Sequence, residues 1–347
     1  MTDKLTELLS TRPWLLADGA TGTNLFAAGL ESGDAPELWN TDPEFSERVY
    51  ALNKSFVDAG SDIILTNSFG GNRYRLKLHK AEGRVAELNE AAAAIARRAA
   101  DSVDRPVLVA GSLGPTGEIL EPVGTLSEAD ARSAFAEQAK ALAAGGADLI
   151  WIETISSVEE LRAAVAGAAE SGLPVVSTLS FDTNGCTMMG VTPAAVAHLM
   201  HNLDARPAAY GANCGTGAAE LVTALLSMSD AAGEDDILIA KSNCGIPRYE
   251  GGKIVYSGTP ELMAAYACLA LDAGARIIGG CCGTTADHLR AMKSALESHA
   301  KGAKPTLETI VAKLGEVSAG SAALGSGQPL GERPTRDRGQ RGRRRRG

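Results

Sequence analysis

The sequence has few aromatic residues, no long apolar segment and no pair of histidines at a metal-ligand spacing. Phe, Trp and Tyr together make up 4% of the 347 residues, so Ala, Val, Leu and Ile must build most of the core. No apolar run reaches the roughly 18 residues that a membrane-spanning helix needs. The first residues lack the positive region and apolar stretch of a secretory signal. These absences argue against a membrane protein and predict a cytoplasmic location.

The charge is negative and unevenly distributed. The formal net charge is −9, although residues 332–347 contain eight arginines and only two acidic residues. The remainder of the chain is therefore more acidic than the total indicates. An acidic body gives no support to nucleic-acid binding as the main role.

Eight short apolar runs alternate with helical segments along the first 300 residues. Continuous apolar runs are typical of parallel strands that are buried on both faces. This alternation predicts an α/β protein with a single-domain (β/α)8 TIM barrel. An open doubly wound sheet is the competing fold, but it normally has fewer strands, and no GxGxxG motif follows the first run. The eight runs are 14–19, 62–69, 107–114, 148–154, 174–181, 208–215, 236–245 and 275–283.

The composition changes near the C terminus. We expect the barrel to occupy residues 1–302 and a short helical extension to occupy residues 303–317. Residues 318–347 are rich in Gly, Ser and Arg, a composition that cannot bury a core, and they are predicted to be a disordered tail.

Three of the six cysteines follow apolar runs in a way that indicates a metal site. Cys214 ends the sixth run, and the adjacent Cys281 and Cys282 end the eighth, between glycines that permit a sharp turn. A disulfide between neighbouring cysteines is strained. Zinc prefers thiolate ligands, and three of them would leave its fourth position open. From the residues alone, zinc binding and simple burial of small apolar side chains both remain open. Cys186 and Cys268 are interpreted as core residues, and Cys244 stays ambiguous.

Two acidic residues are expected at the same end of the barrel. Asp18 lies at the end of the first apolar run, and Glu153 lies at the end of the fourth. A carboxylate in such a position is costly unless it has a partner. Both residues are candidates for substrate binding. The alternative for Glu153 is a structural ion pair or a helix cap, and the alternative for Asp18 is a turn-forming residue or a helix cap.

Five segments in order resemble one known family. The chain contains DGATGTNL, TNSFGGNRYRL, WIET, GANCG and GGCCGTT, which are similar to motifs of the homocysteine S-methyltransferase family. The resemblance covers about residues 10–300. The chain looks most like bacterial betaine–homocysteine S-methyltransferases, and it is also similar to the N-terminal homocysteine module of cobalamin-dependent methionine synthase.

The resemblance implies a fold, a metal and a set of site residues. The family is a (β/α)8 barrel in which Cys214, Cys281 and Cys282 would be the catalytic zinc ligands. Homocysteine would bind zinc through its sulfur as a thiolate, which then attacks the methyl group of the donor. Asp18 and Glu153 would receive the ammonium of homocysteine. The remaining predicted substrate-site residues are Gly19, Ser242 and Asn243, whose backbone groups would hold the carboxylate, and Asn67. A homo-oligomer is expected by the same analogy.

The identity of the methyl donor is less well determined by these motifs. Glycine betaine is the favoured donor, but Gly70 and Thr154 stand where animal betaine enzymes have aromatic residues. Trp39, Phe69 and Tyr74 are the alternative aromatic candidates for binding a quaternary ammonium group. The chain could instead be the homocysteine-activating subunit of a split cobalamin and folate methionine synthase, with a corrinoid protein as its partner. S-methylmethionine or S-adenosylmethionine as the donor, and a non-catalytic zinc-binding regulatory barrel, are further alternatives.

Overall fold

A computed structural model of the chain describes residues 3–250 and 253–328. Within these residues there are ten strands, thirteen α-helices and two short 3₁₀ segments, Pro36–Asn40 and Glu82–Arg84. The strands are β1 (Leu15–Leu16), β2 (Ile63–Leu65), β3 (Leu108–Leu113), β4 (Leu149–Ile155), β5 (Val175–Leu179), β6 (Ala209–Cys214), β7 (Leu238–Ser242), β8 (Pro247–Glu250), β9 (Lys253–Tyr256) and β10 (Ala275–Gly280).

The helices mostly lie between consecutive strands. They are α1 (Lys4–Thr11), α2 (Thr21–Ala27), α3 (Phe45–Ala59), α4 (Arg73–Lys77), α5 (Val85–Ala100), α6 (Glu128–Ala144), α7 (Val158–Ala169), α8 (Pro193–Met200), α9 (Ala218–Ala231), α10 (Pro260–Asp272), α11 (Ala286–Ser298), α12 (Leu307–Leu314) and α13 (Ala319–Gly325). Local signals define their ends. For example, the Ser127 side chain caps the first turn of α6, and Gly60 ends α3 with a φ of 101°.

Eight parallel strands form a barrel, as predicted. They hydrogen bond in the order β1, β10, β7, β6, β5, β4, β3 and β2. A parallel bridge between Ala17 and Ile63 joins the first strand to the last and closes the ring. The two remaining strands, β8 and β9, form an antiparallel hairpin between β7 and α10. The (β/α)8 prediction is confirmed.

Alternation of side chains along the strands builds two apolar layers. Leu15 belongs to the cluster that fills the barrel, whereas its neighbour Leu16 belongs to the cluster between the strands and the helices. Trp151 fills the interior, and its indole N–H lies 3.2 Å from the Thr178 hydroxyl oxygen. The low aromatic content is therefore compatible with a well-filled core. One large ring and many aliphatic side chains fill the barrel, and the helices cover the outer face of each strand.

The C-terminal extension contains more helix than the sequence predicts. Helix α12 lies within the expected extension, but α13 occupies residues predicted to be disordered. Ser318 caps α13, its backbone N–H lies 2.5 Å from a Glu220 carboxylate oxygen, and the Gly320 N–H donates to Asn184. The small residues that suggested disorder allow α13 to pack closely on α9. The predicted tail beyond Gln328 lies outside the described residues.

No helix in the described part of the chain is long and apolar enough to cross a membrane.

Candidate metal centre

Three predicted ligands meet at the carboxyl-terminal mouth of the barrel. Cys214 is the last residue of β6, and Cys281 and Cys282 directly follow β10. Their sulfur atoms all lie within 4.8 Å of one another, and the three side chains are partly exposed. Strands β6 and β10 are separated in the sheet only by β7. The topology therefore brings residues almost 70 positions apart in sequence into one cluster.

The backbone of this region is held in an uncommon conformation. Cys214 has a φ of 60° and Thr154, next to Glu153, has a φ of 65°. Non-glycine residues seldom adopt the left-handed region, and such strain is concentrated at functional sites. The Asn213 side chain holds Thr154, because its oxygen accepts the Thr154 N–H at 2.9 Å and its nitrogen donates to the Thr154 hydroxyl at 2.7 Å.

Residues at the end of β7 join the two ligand-bearing loops. The Asn243 amide nitrogen donates to the Gly215 carbonyl at 2.5 Å, and its oxygen accepts the Cys282 N–H at 3.0 Å. The Ser242 carbonyl accepts the Cys281 N–H at 2.5 Å. Both residues, predicted to contribute backbone groups to the substrate, therefore also fix the positions of the thiols.

The close approach of the thiols strongly couples their ionisation. Hydrogen bonds from Cys214 and Cys281 hold the pKa of Cys282 well below its ordinary value. Hydrogen bonds with Cys281 and Cys282, together with burial, raise the pKa of Cys214. One thiolate is thus favoured and further thiolates are disfavoured by repulsion. A soft divalent cation would remove this repulsion, so the donor set is suited to zinc.

Two carboxylates and one ammonium lie beside the thiols. Burial raises the pKa of Glu153 to about 7, although the charge of Lys241 opposes the shift. Burial also raises the pKa of Asp18 against the opposing effect of Lys241. Lys241 is itself buried, yet its pKa is raised, because the charges of Asp18, Cys281 and Glu153 outweigh desolvation.

The other predicted residues have different surroundings. Gly19 lies so close to the β10–α11 loop that an added Cβ would be 2.6 Å from the Thr284 carbonyl oxygen. The Asn67 amide nitrogen donates to the Pro36 carbonyl and the Asn40 side chain, so it holds a neighbouring loop. The predicted role of Asn67 in substrate binding stays a prediction.

The three remaining cysteines do not join the thiol cluster. Cys186 is buried in the loop after β5, and Cys268 lies on α10 on the outside of the barrel. Cys244 is buried at the end of β7, where its sulfur lies 3.1 Å from His288 Nε2. Its backbone N–H donates to the Cys282 carbonyl at 2.8 Å, so it braces the site without contributing a sulfur to the cluster.

Two residues of the site escaped the sequence analysis. Lys241 lies within the apolar run of β7, two positions after Ile239 of the interior cluster, so the alternation of side chains along a strand could have placed it inside the barrel. Tyr256 ends the β8–β9 hairpin; its ring packs on Gly283 and its hydroxyl hydrogen bonds with Cys282. No motif marked the hairpin, which interrupts the regular strand and helix alternation.

The comparisons with known proteins agree with this geometry. The model of the family described as homocysteine S-methyltransferase matches residues 15–296. Methionine synthase of Mycobacterium tuberculosis is 33% identical over 84% of the chain, and that of Mycobacterium leprae is 30% identical over 95%. The chain spans only 25% and 28% of the lengths of these two relatives.

A solved structure shows the same fold. The metallated form of the homocysteine methyltransferase MmuM from Escherichia coli is 24% identical and has a TM-score of 0.68. The match covers 84% of this chain and 99% of that one. With the family model matching most of the chain, the protein belongs to the homocysteine S-methyltransferase family.

Proposed function

We propose that the protein transfers a methyl group to the thiol of L-homocysteine, giving L-methionine, with zinc held by Cys214, Cys281 and Cys282. The observation that carries this proposal is the cluster of three sulfurs within 4.8 Å of one another at the barrel mouth. Buried carboxylates lie beside it, as an amino-acid substrate requires. Family membership supports the same reaction.

The three thiolates suit a catalytic rather than a purely structural centre. They leave one tetrahedral position for a substrate sulfur. When bound, zinc keeps that sulfur deprotonated and therefore nucleophilic at neutral pH. The chain supplies the orientation: Asn243 and Ser242 fix the thiol loops, and the Asp18 and Glu153 side of the mouth is where the substrate ammonium is expected. Backbone groups near Gly19, Ser242 and Asn243 remain the proposed partners of the substrate carboxylate.

Glycine betaine is the donor that we favour. A quaternary ammonium group binds best against aromatic faces. Of the three aromatic candidates from the sequence, Trp39 is buried and stacked on Phe45, and Tyr74 packs against the core. Phe69 follows β2 at the mouth and is 36% exposed. Together with Tyr256 on the hairpin, it is the proposed aromatic surface for the donor.

One observation favours a second donor system. The chain matches only 25% and 28% of the two methionine synthases that it resembles, so the similarity covers one module of each. The chain could therefore work with a separate methylated corrinoid protein. This alternative retains homocysteine, zinc and all three ligands.

A donor panel separates these possibilities. Zinc-loaded protein is incubated with homocysteine and with betaine, S-methylmethionine, S-adenosylmethionine or a methylated corrinoid protein, and methionine is quantified. We expect methionine from betaine, and a Phe69→Leu variant should raise the KM for betaine more than that for homocysteine. Activity with the corrinoid protein alone would select the second system. Formation of no methionine from any donor would contradict the proposed reaction and favour a non-catalytic barrel.

A further inference from the structure

Two neighbouring loops at the mouth of the barrel expose large apolar side chains. Leu78 follows α4 in the β2–α5 connection and is 72% exposed, and Ile119 and Val123 in the β3–α6 loop are 57% and 74% exposed. Strands β2 and β3 are adjacent in the barrel, and a Cβ added at Gly117 would lie 3.1 Å from Arg75, so the two loops lie against each other. A cluster of exposed apolar side chains commonly marks an interaction surface.

The β2–α5 connection also presents unpaired positive charge. Arg75, Lys77 and Lys80 are exposed, and within the described ranges none of them forms an ion pair, unlike the neighbouring Arg73. The side chain of Leu76 is fully buried in a cluster with residues of α5, so it anchors α4. The three cations are therefore carried by a fixed element and remain available to a partner.

The β3–α6 loop presents unpaired charge of the opposite sign. Glu118 and Glu121 are exposed, and neither pairs with a cation in the part of the chain that the structure describes. The Glu121 N–H donates to the Leu126 carbonyl at 2.9 Å, and the Gly124 N–H donates to the Leu120 carbonyl at the same distance. These backbone hydrogen bonds fix the loop. The surface of the two loops is thus formed in the single chain, with both signs of charge beside apolar side chains.

We infer that this surface is an isologous interface through which two copies of the chain form a dimer. A two-fold interface must be complementary to itself. About a two-fold axis, the cationic β2–α5 connection of each copy faces the acidic β3–α6 loop of the other, and Leu78, Ile119 and Val123 pack between the copies. Apolar contacts surrounded by charged side chains are the usual anatomy of a protein interface. The inference concerns assembly and goes beyond the proposed function.

Other occupants match only half of the surface. The arginine-rich segment 332–347 of the same chain is repelled by the cations of the β2–α5 connection. A nucleic acid or an anionic lipid surface is repelled by Glu118 and Glu121. A second copy compensates both signs of charge at once, and such complementarity selects the partner and fixes the register of an interface.

The test measures the oligomeric state of the zinc-loaded full chain by sedimentation velocity. Wild type should be a dimer at about 50 μM, a concentration above the Kd of most interfaces of standard size. Lys77→Glu/Lys80→Glu makes both loops acidic, and Glu118→Lys/Glu121→Lys makes both loops basic. Each double variant places like charges across the interface, so its Kd for dimer formation should rise about 100-fold or more and it should sediment as a monomer.

An equimolar mixture of the two double variants is the decisive sample. One variant then contributes two acidic loops and the other two basic loops, so opposite charges face each other in both halves of the interface. The mixture should form a dimer although neither variant does so alone. Lys301→Glu/Lys313→Glu is the matched control, because it reverses two exposed lysines that lie in and before α12 and form no ion pair among the described residues. It should remain a dimer.

Three results would overturn the inference. They are a monomeric wild type, double variants that stay dimers, and a mixture that stays monomeric, which would exclude the two-fold arrangement. Circular dichroism and zinc content should match wild type in every variant, so loss of the dimer cannot be ascribed to unfolding. Because methionine formation is not the readout, failure of the proposed function would leave these outcomes unchanged.

Discussion

Buried charges are paired differently at the two ends of the barrel. At the amino-terminal end, three aspartates precede strands, and each has cationic partners. Asp62 lies 2.5 Å from Arg12, Asp148 lies 2.7 Å from Lys4 and also contacts Arg97, and Asp236 contacts Arg206 and His201. At the carboxyl-terminal mouth, three thiols lie close together, and the buried Lys241 is influenced by the charges of Asp18, Glu153 and Cys281.

This difference in charge pairing assigns a stabilising role to the amino-terminal end of the barrel and a functional role to the mouth. Charges at the amino-terminal end are compensated by the protein, so they need no ligand and can only hold strands and loops in place. At the mouth, negative charge is in excess, and a divalent cation together with a substrate ammonium group would balance it. A TIM barrel carries its active site at this end, and the opposite end contributes stability.

The largest effect should come from removing a thiol at the mouth. Cys214→Ser, Cys281→Ser or Cys282→Ser leaves two thiolates, so bound zinc should fall from about one ion per chain to background. Methionine formation should disappear together with the metal. Elemental analysis of the purified variants and a methionine assay measure both quantities.

Cys268→Ser is the matched control for this experiment. Cys268 lies on α10, away from the cluster, so its variant should keep full zinc content and activity. A cluster variant that retains both zinc and turnover would remove that cysteine from the ligand set.

A smaller effect is expected from the hydroxyl that contacts the cluster. Tyr256→Phe removes the hydrogen bond to Cys282 and leaves the ring on Gly283. Because partners that orient metal ligands typically contribute about tenfold or more, zinc affinity should fall by about tenfold. Chelator competition measures the change. Tyr50→Phe, whose ring lies under Arg98 on the helical surface, should leave zinc affinity unchanged.

The smallest functional effect should follow a change at the amino-terminal end. Asp236→Asn weakens the interactions with Tyr210, His201, Arg206 and the Gly233 N–H, so the free energy of unfolding should fall by about 2 kcal/mol at pH 7. Zinc content and the KM for homocysteine should not change. Urea unfolding together with the methionine assay would show this, and a raised KM would mean that the two ends are coupled.

The pH dependence of this stability difference has a defined sign. Burial opposes the charge of Asp236, but hydrogen bonds from Tyr210, the Gly233 N–H and His201 outweigh it and lower its pKa. A group with a lowered pKa in the folded state stabilises the protein above its unfolded pKa, about 3.9 for aspartate. The difference between wild type and Asp236→Asn should therefore persist at pH 6 and shrink below about pH 4. A difference that grew at low pH would contradict this assignment.

Much of the fold follows from local sequence patterns. The eight apolar runs predicted the eight barrel strands because parallel strands covered on both faces must be apolar throughout. The α13 helix was missed because Ala, Gly and Ser also favour disorder, whereas its packing on α9 and its contacts with Glu220 and Asn184 join residues far apart in the sequence. The β8–β9 hairpin was missed because it interrupts the alternation on which the prediction relied.

The site was predicted less completely. Cys214, Cys281 and Cys282 were candidates because each lies at the end of a predicted strand, but the residues alone left zinc binding and simple burial both open, and the ligand set came from the resemblance to the family. Lys241 was hidden, since a lysine in an apolar run gives no indication of the partner that compensates it. Its pairing with Asp18 joins residues 223 positions apart in the chain, and only the closed barrel brings them into contact.

X-ray absorption at the zinc edge tests the central claim most directly. With zinc bound, the spectrum should show three sulfur ligands, matching the three cysteines of the cluster. Adding homocysteine should increase the sulfur ligands to four, because the substrate thiolate takes the open position. Fewer than three sulfurs at the start, or an unchanged spectrum with saturating homocysteine, would contradict the assignment of this mouth as the site of methyl transfer.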